Sequence, residues 1–234
     1  MQINNKEFIL LDKKNEANNV TSLYFKTSDG SPFLYKSGQY INVKPLSVSG
    51  HGKSYTISSS PSEKLLCLTV KRKGTVSSAL IDLAVGEKIT FDGPYGFFYP
   101  EVYDKDIVMI AGGIGITPFY SILKDKISNN IPGKIYLFYS NKILTDITFF
   151  EDLNKVAKEN TWLNVVHCIT QEKTKHPSIK EHSRIDKKMF KKYLTSFSNK
   201  NYFICGSISF VNDMWKLLKE NGVLEEEIFT ESFF

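Results

Sequence analysis

Ile107-Val108-Met109-Ile110-Ala111-Gly112-Gly113-Ile114-Gly115-Ile116-Thr117-Pro118 is the stretch whose reading decides the fold. Its first four residues form an uninterrupted β-forming apolar run, as in a strand buried on both faces. Three glycines follow, and then Thr117, which can cap a helix, and Pro118, which suits a first helical turn. The spacing predicts a helix over 117–128. Strand, glycine turn and helix together aim backbone N–H groups and a helix N-terminus at a phosphate. The pattern is GxGxxP and not GxGxxG, so the turn alone is equally readable as an ordinary tight βα connection. The neighbouring sequence favours the phosphate reading.

Downstream, strand patterns at 134–139, 163–170, 202–205 and 227–230 alternate with helical patterns at 145–159, 186–195 and 210–221. Repeated β-α-β units cross over with one hand, which predicts a doubly wound five-stranded parallel sheet over residues 101–234. Upstream, the period changes to two. Short strands are expected at 7–13, 20–27, 39–43, 54–59, 65–72 and 88–92, separated by Asp29-Gly30-Ser31-Pro32, Ser37-Gly38, Ser60-Pro61 and Gly93-Pro94, with one helix at 76–84. Six short strands at that spacing predict an N-terminal antiparallel β-barrel over residues 1–100. The break between the two domains falls near 99–105.

Bulk properties narrow the class. The 234 residues carry 30 basic and 25 acidic side chains, a net charge of +5, too mild and too dispersed for a nucleic-acid-binding surface. The lysines at 187, 188, 191 and 192 read as the wet face of a helix, or else as a docking patch for an acidic protein. Cys67, Cys168 and Cys205 are far apart and form no CxxC, and His51, His167, His176 and His182 lack metal-site spacing, so neither a metal centre nor a disulfide framework is expected. There is no apolar leader and no run of about 18 apolar residues. A cytoplasmic monomer without a membrane span is the expectation.

Four further segments carry chemistry. Lys53-Ser54-Tyr55-Thr56 places a cation, a ring and hydroxyls on one short strand, with alternation sending Lys53, Tyr55 and Ile57 to one face and Ser54, Thr56 and Ser58 to the other. Val70-Lys71-Arg72-Lys73-Gly74-Thr75-Val76-Ser77-Ser78 is a basic strand end entering a helix, where Ser77, Ser78, Arg72 and the helix N-terminus can receive a diphosphate. Cys205-Gly206-Ser207 sits at the C-terminal end of the fourth parallel strand, the edge that lines the ligand crevice in open α/β sheets. Glu231-Ser232-Phe233-Phe234 brings a carboxylate and two aromatic rings to the C-terminus.

In this order, the motifs resemble those of the ferredoxin–NADP reductase superfamily of flavoprotein oxidoreductases, and the resemblance covers almost the whole chain. Lys53-Ser54-Tyr55-Thr56 is similar to the family's Arg-x-Tyr-Ser/Thr flavin motif. Gly74-x-x-Ser77 is similar to its flavin-phosphate motif, and Gly93-Pro94-Tyr95-Gly96 to the close of its flavin domain. Gly112-Gly113-Ile114-Gly115-Ile116-Thr117-Pro118 is similar to its nicotinamide-nucleotide motif, and Cys205-Gly206 and Glu231-x-Phe233 to its two C-terminal motifs. The resemblance implies FAD in preference to FMN, with NADPH or NADH as hydride donor. It implies that Tyr55 lies along the flavin, beside the segment holding Val70, and that Thr56 bonds near its N5. Lys53, Ser77 and Ser78 would hold phosphate. Thr117 would lie close to both cofactors, Cys205 and Glu231 would flank the reacting atoms, and Phe233 or Phe234 would cover the flavin ring.

The family's arginine is Lys53 in this chain, a point charge in place of a bidentate fork. No ferredoxin domain is expected after Phe234, so electrons would pass to a separate acceptor: a ferredoxin- or flavodoxin-like protein or an oxygenase component. An NAD(P)H:flavin reductase using free flavin as substrate is the first alternative, and a non-catalytic flavin-binding electron-transfer subunit the second. No acid ends the second parallel strand, whereas Ser140, Lys142 and the later Arg184 can receive a 2′-phosphate, which inclines the reading to NADPH.

Overall fold

The computed structural model describes residues 5–45, 47–49, 51–172, 176 and 179–233. The chain divides into two compact units, one of residues 1–99 with 117–130, the other of residues 100–116 with 131–234.

The first unit is a six-stranded antiparallel sheet. Its strands are β1 (Lys6–Ala17), β2 (Val20–Thr27), β3 (Tyr40–Val43), β4 (Lys53–Thr56), β5 (Leu66–Lys71) and β6 (Lys88–Tyr95), in the order β4-β3-β6-β1-β2-β5. Alternate residues point inward, as the period of two requires. Phe8, Leu10, Leu23, Phe25, Ile41, Val43, Leu68 and Phe91 are all buried in one core. The sheet curls until its ends meet: just past β4, Ile57 bridges Leu68 of β5, and the Ser58 N–H donates to the Cys67 carbonyl at 2.8 Å. Helix α1 (Thr75–Asp82) seals the barrel with Leu80 and Ile81. β6 runs three residues beyond its expected end, through Gly93-Pro94, because Tyr95 pairs with Tyr40 of β3.

The second unit holds a five-stranded parallel sheet of β7 (Asp106–Gly112), β8 (Ile135–Asn141), β9 (Leu163–Ile169), β10 (Lys200–Ser207) and β11 (Ile228–Phe233), in the order β11-β10-β7-β8-β9. The reversal of strand order at β7 is the expected doubly wound topology. β7 is central, and Ile107 to Ala111 are all at most 1% exposed, as a continuous apolar run predicts. Helices α4 (Lys187–Tyr193) and α5 (Ile208–Lys219) bury Met189, Phe190, Val211, Met214 and Leu218 against Val108, Ile110, Phe138 and Ile204 on one face.

Helix α3 (Phe150–Glu159) begins five residues later than the expected 145. A 3-10 turn occupies Leu144–Asp146, and Ile147, Thr148 and Phe149 are buried before the helix starts, with Phe149 left-handed at φ 61°. Tertiary contacts override helical propensity at this point: the Thr148 N–H donates to the Tyr139 hydroxyl at 3.2 Å, and the Leu144 N–H donates to the Glu172 carboxylate at 2.6 Å. Helix α2 (Thr117–Ser128), which follows β7 in sequence, belongs by its contacts to the barrel unit. Its Phe119 ring lies 5.7 Å from that of Phe98.

Candidate cofactor sites

In the barrel unit the flavin-type motif lies on β4. Lys53 and Ser54 are exposed, Tyr55 is half-buried against the barrel core, and Thr56 is buried. Ser54 donates to the Asn42 side chain at 2.7 Å, a link within the wall. Burial pushes the Tyr55 phenol up to about 12. The Thr56 Oγ1 is buried without a hydrogen-bond partner. Such an orphan costs free energy unless a ligand or water satisfies it. β5 pairs with β2 along one edge, while its other edge is held at Cys67 and Leu68 by residues 57–59. Val70 is 1% exposed with its side chain in the core, so it has only its backbone to offer a bound ring.

At the start of α1, Gly74 is exposed with open space where a Cβ would stand. The Ser77 hydroxyl is occupied: it accepts the N–H groups of Lys73 and Gly74 at 2.9 Å and donates to the Gly74 carbonyl at 2.9 Å. Ser78, half-buried, contributes its N–H to the Gly74 carbonyl at 2.9 Å. Arg72 is held away from the helix start, in a bidentate pair with Asp82 at 2.6 and 3.1 Å near the helix end. The pair raises the Arg72 guanidinium and lowers the Asp82 carboxyl. This competition is invisible in sequence, because it joins residues across the length of α1. With the Ser77 hydroxyl and Arg72 engaged, the N–H groups of the first helical turn remain at this end of α1.

In the second unit, the glycine turn lies against the end of β10. Residues Gly113–Ile116 form a 3-10 turn running directly into Thr117, so Thr117 stands inside the helical run and not ahead of it as a cap. Gly113 has φ +54° and open space around it. Gly115 touches backbone: a Cβ there would lie 2.3 Å from the Cys205 carbonyl oxygen and 2.9 Å from the Gly206 nitrogen. Gly112 and Gly206 each make room for the Phe210 ring, which a Cβ would meet at 2.9 and 2.8 Å. The glycines therefore let two strand ends and a helix close on one another, a role the phosphate reading did not include. Pro118 is buried in the first turn of α2.

Cys205 pairs in register with Ala111 on one side and Glu231 on the other. It is fully buried, and burial, reinforced by the Glu231 charge, pushes its thiol well above the usual range. Burial also raises Glu231 to about 7, and its Oε2 is buried without a hydrogen-bond partner. Phe233 is half-buried, and Phe234 lies outside the described residues.

A cleft of about 540 Å³ opens at the C-terminal ends of β8, β9 and β10. Ser140, Lys142 and Arg184, three residues nominated from sequence for a 2′-phosphate, all line it. So does Ser207, placed at the crevice edge from sequence, and so do Thr170, Gln171, Ser209, Phe210, Asp213 and Lys216, which the sequence reading did not single out as ligand-binding. Their signal was positional: Thr170-Gln171 follows β9 as Lys142 follows β8, and Ser209, Asp213 and Lys216 recur at helical spacing on α5. Asp186, also in the cleft wall, is engaged as the cap of α4, accepting the Met189 N–H at 2.8 Å. Among the described residues no helix is long and apolar enough to cross a membrane, and no three His, Cys, Asp or Glu side chains cluster as a metal site.

Comparison with known proteins finds two family models along the chain. Residues 7–99 match the family model of an oxidoreductase FAD-binding domain, and residues 109–216 that of an oxidoreductase NAD-binding domain. A flavohemoprotein of Bacillus subtilis (strain 168) is 32% identical over 235 residues, covering 97% of this chain and 59% of that protein. NADH-cytochrome b5 reductase 1 of Candida glabrata is 33% identical over 165 residues, covering 66% of this chain and 57% of that protein. The chain thus spans less than two thirds of the length of these relatives. The FAD/NAD-binding domain of nitric oxide dioxygenase from Vibrio cholerae has the same fold, with a TM-score of 0.87 at 23% identity, covering 97% of this chain and 98% of that one.

Proposed function

The chain belongs to the ferredoxin–NADP reductase superfamily of flavin-dependent oxidoreductases, and from that premise we propose that it is an NADPH-preferring reductase that passes electrons through FAD to a separate acceptor protein. The observation that carries the nucleotide preference is the convergence of Ser140, Lys142 and Arg184 in one cleft. A 2′-phosphate is a dianionic acceptor. Arg184 offers it a planar fork, Lys142 a point charge and Ser140 a hydroxyl. Bound FAD would supply the chemistry that takes up a hydride and releases electrons singly or in pairs. The residues of the chain supply placement. Thr56 presents a buried hydroxyl with no other partner, Tyr55 a half-buried ring, and Lys53 a cation for phosphate. Burial keeps Cys205 a neutral thiol in register beside Glu231, whose carboxyl changes protonation near neutral pH and can hold a proton at Oε2. The names of the relatives, a flavohemoprotein and a cytochrome b5 reductase, support a protein acceptor with a one-electron centre.

Two observations favour a second reading, an NAD(P)H:flavin reductase from which the flavin departs. The Arg72–Asp82 pair and the occupied Ser77 hydroxyl reduce the side-chain grip on a diphosphate. The test is an anaerobic absorbance spectrum of gel-filtered protein before and after stoichiometric NADPH or NADH. Flavin bands at about 370 and 450 nm that bleach faster with NADPH are expected, and Arg184→Ala should remove that advantage. A colourless protein that oxidises NADPH only with added flavin selects the second reading, and a protein inert under both conditions refutes both.

A further inference from the structure

The helix that follows the glycine turn is pinned to the barrel by three polar clasps along one face. The Ser121 hydroxyl, fully buried, donates to the Ser59 carbonyl at 2.5 Å. Lys124 pairs with the Glu63 carboxylate at 2.7 Å, and the same Glu63 oxygen accepts the Ser60 N–H at 2.5 Å. Asp125 accepts the Ser37 hydroxyl at 3.1 Å. Residues 121, 124 and 125 lie on one stripe of an α-helix, and Thr117, one turn earlier, shares it. The far ends of two clasps fall on residues 59–63, directly after Thr56 and Ile57.

This receiving segment is itself rigid. Ile57 is bridged to Leu68, and its N–H donates to the Gln39 carbonyl at 2.9 Å. The Ser58 hydroxyl bonds to Thr69 at 2.8 Å, and Thr69 bonds to Ser22 at 2.8 Å. The Ser59 hydroxyl receives the Cys67 N–H at 2.9 Å and bonds to the Tyr35 hydroxyl at 2.8 Å. A buried chain of hydroxyls is costly unless every member is satisfied, and in this one each member has a partner.

We infer that Ser121 is a positioning residue. Through the Ser59 carbonyl it fixes the start of α2, and with it Thr117, relative to Thr56, so that the two threonines are held in one rigid frame. The inference extends the flavin reading proposed above. Near-contact transfer is steep in distance, so a small relaxation of this frame slows reduction without releasing the cofactor.

The test is Ser121→Ala, with Ser121→Thr as the variant that keeps the hydroxyl. Two readouts are taken. The first is amide hydrogen exchange at residues 117–120 and 57–60, expected to accelerate in Ser121→Ala and to recover in Ser121→Thr. The second is the stopped-flow rate of flavin reduction by saturating NADPH, expected to fall about tenfold in Ser121→Ala, with the flavin dissociation constant within about twofold of wild type. Unchanged exchange, or unchanged reduction in a flavin-loaded variant, overturns the inference. If Ser121→Ala does not fold, Lys124→Met on the more exposed clasp must move both readouts the same way by a smaller factor, and its failure to do so is equally decisive. A wild-type protein that is not reduced by nucleotide refutes the proposed function, while the exchange data still decide on the pin.

Discussion

Replacing Gly115 by alanine separates the two physical roles of the glycine turn. A Cβ at this position would stand 2.3 Å from the Cys205 carbonyl oxygen and 2.6 Å from its carbon, and both are backbone atoms that cannot rotate aside. Restoring van der Waals contact requires the turn or the end of β10 to move by about 1 Å in a close-packed interior. Overpacking of that kind costs about 1–3 kcal/mol, and the upper end applies because neither neighbour is a flexible side chain. For a chain of this size a cost of about 3 kcal/mol corresponds to a Tm lower by roughly 6–12 °C. Gly113→Ala is the control. It meets no atom within 4 Å but must hold φ +54°, a left-handed conformation that costs about 1–2 kcal/mol. Gly113→Asn should recover part of that loss, since asparagine tolerates this region, whereas no residue larger than glycine should rescue position 115. Thermal unfolding followed by circular dichroism, with titration of nucleotide into each folded variant, measures both effects. If Gly115→Ala melts at or above Gly113→Ala, the close approach of the turn to Cys205 is not a packing constraint, and lack of room is not what requires glycine at position 115.

Thr56→Val removes the orphaned hydroxyl but keeps its shape. It should leave Tm within about 2 °C of wild type, since an unsatisfied group is lost, while flavin absorbance and reduction rate change; an unaltered spectrum and rate would displace β4 from the flavin. Cys205→Ala should slow reduction severalfold and leave flavin bound, and an unchanged rate under single-turnover conditions would remove Cys205 from the reacting centre. Glu231 has a folded-state value of about 7, raised by burial from 4.5. The native state therefore binds more protons than the unfolded state between those two values, and stability falls as pH rises through that window. Glu231→Gln stays neutral, so it should match wild type near pH 4.5 and melt higher at pH 8. Parallel melting curves at both pH values would show that the carboxyl is not buried as described.

The parts of the fold legible in sequence are those governed by local pattern. The apolar run 107–110 became the central buried strand, and the period of two upstream became the barrel strands, because side-chain direction follows backbone geometry. Cleft residues were legible for the same reason: Ser140, Lys142 and Ser207 are at strand ends, and strand ends line the crevice. Long-range pairing was not legible. Nothing near Arg72 announces Asp82, nothing near Leu144 announces Glu172, and Phe149 takes a left-handed conformation only because Tyr139 and the sheet hold the preceding residues. The glycines carried a signal that was read for one function, phosphate approach, when Gly112, Gly115 and Gly206 also answer to Phe210 and to the backbone of β10.

Helix α2 lies within the nucleotide-binding half in sequence and within the barrel unit by its contacts. Cutting the gene near residue 100 would therefore deliver a barrel whose Ser59 carbonyl, Phe98 ring and Ser37 hydroxyl have lost their partners. During synthesis the same interleaving delays completion. The barrel strands leave the ribosome first but remain unfinished until residue 130 has emerged, after the first strand of the other unit. The two halves are sequential in recognition and entangled in assembly, and a fragment intended to bind flavin alone should carry the chain through residue 130.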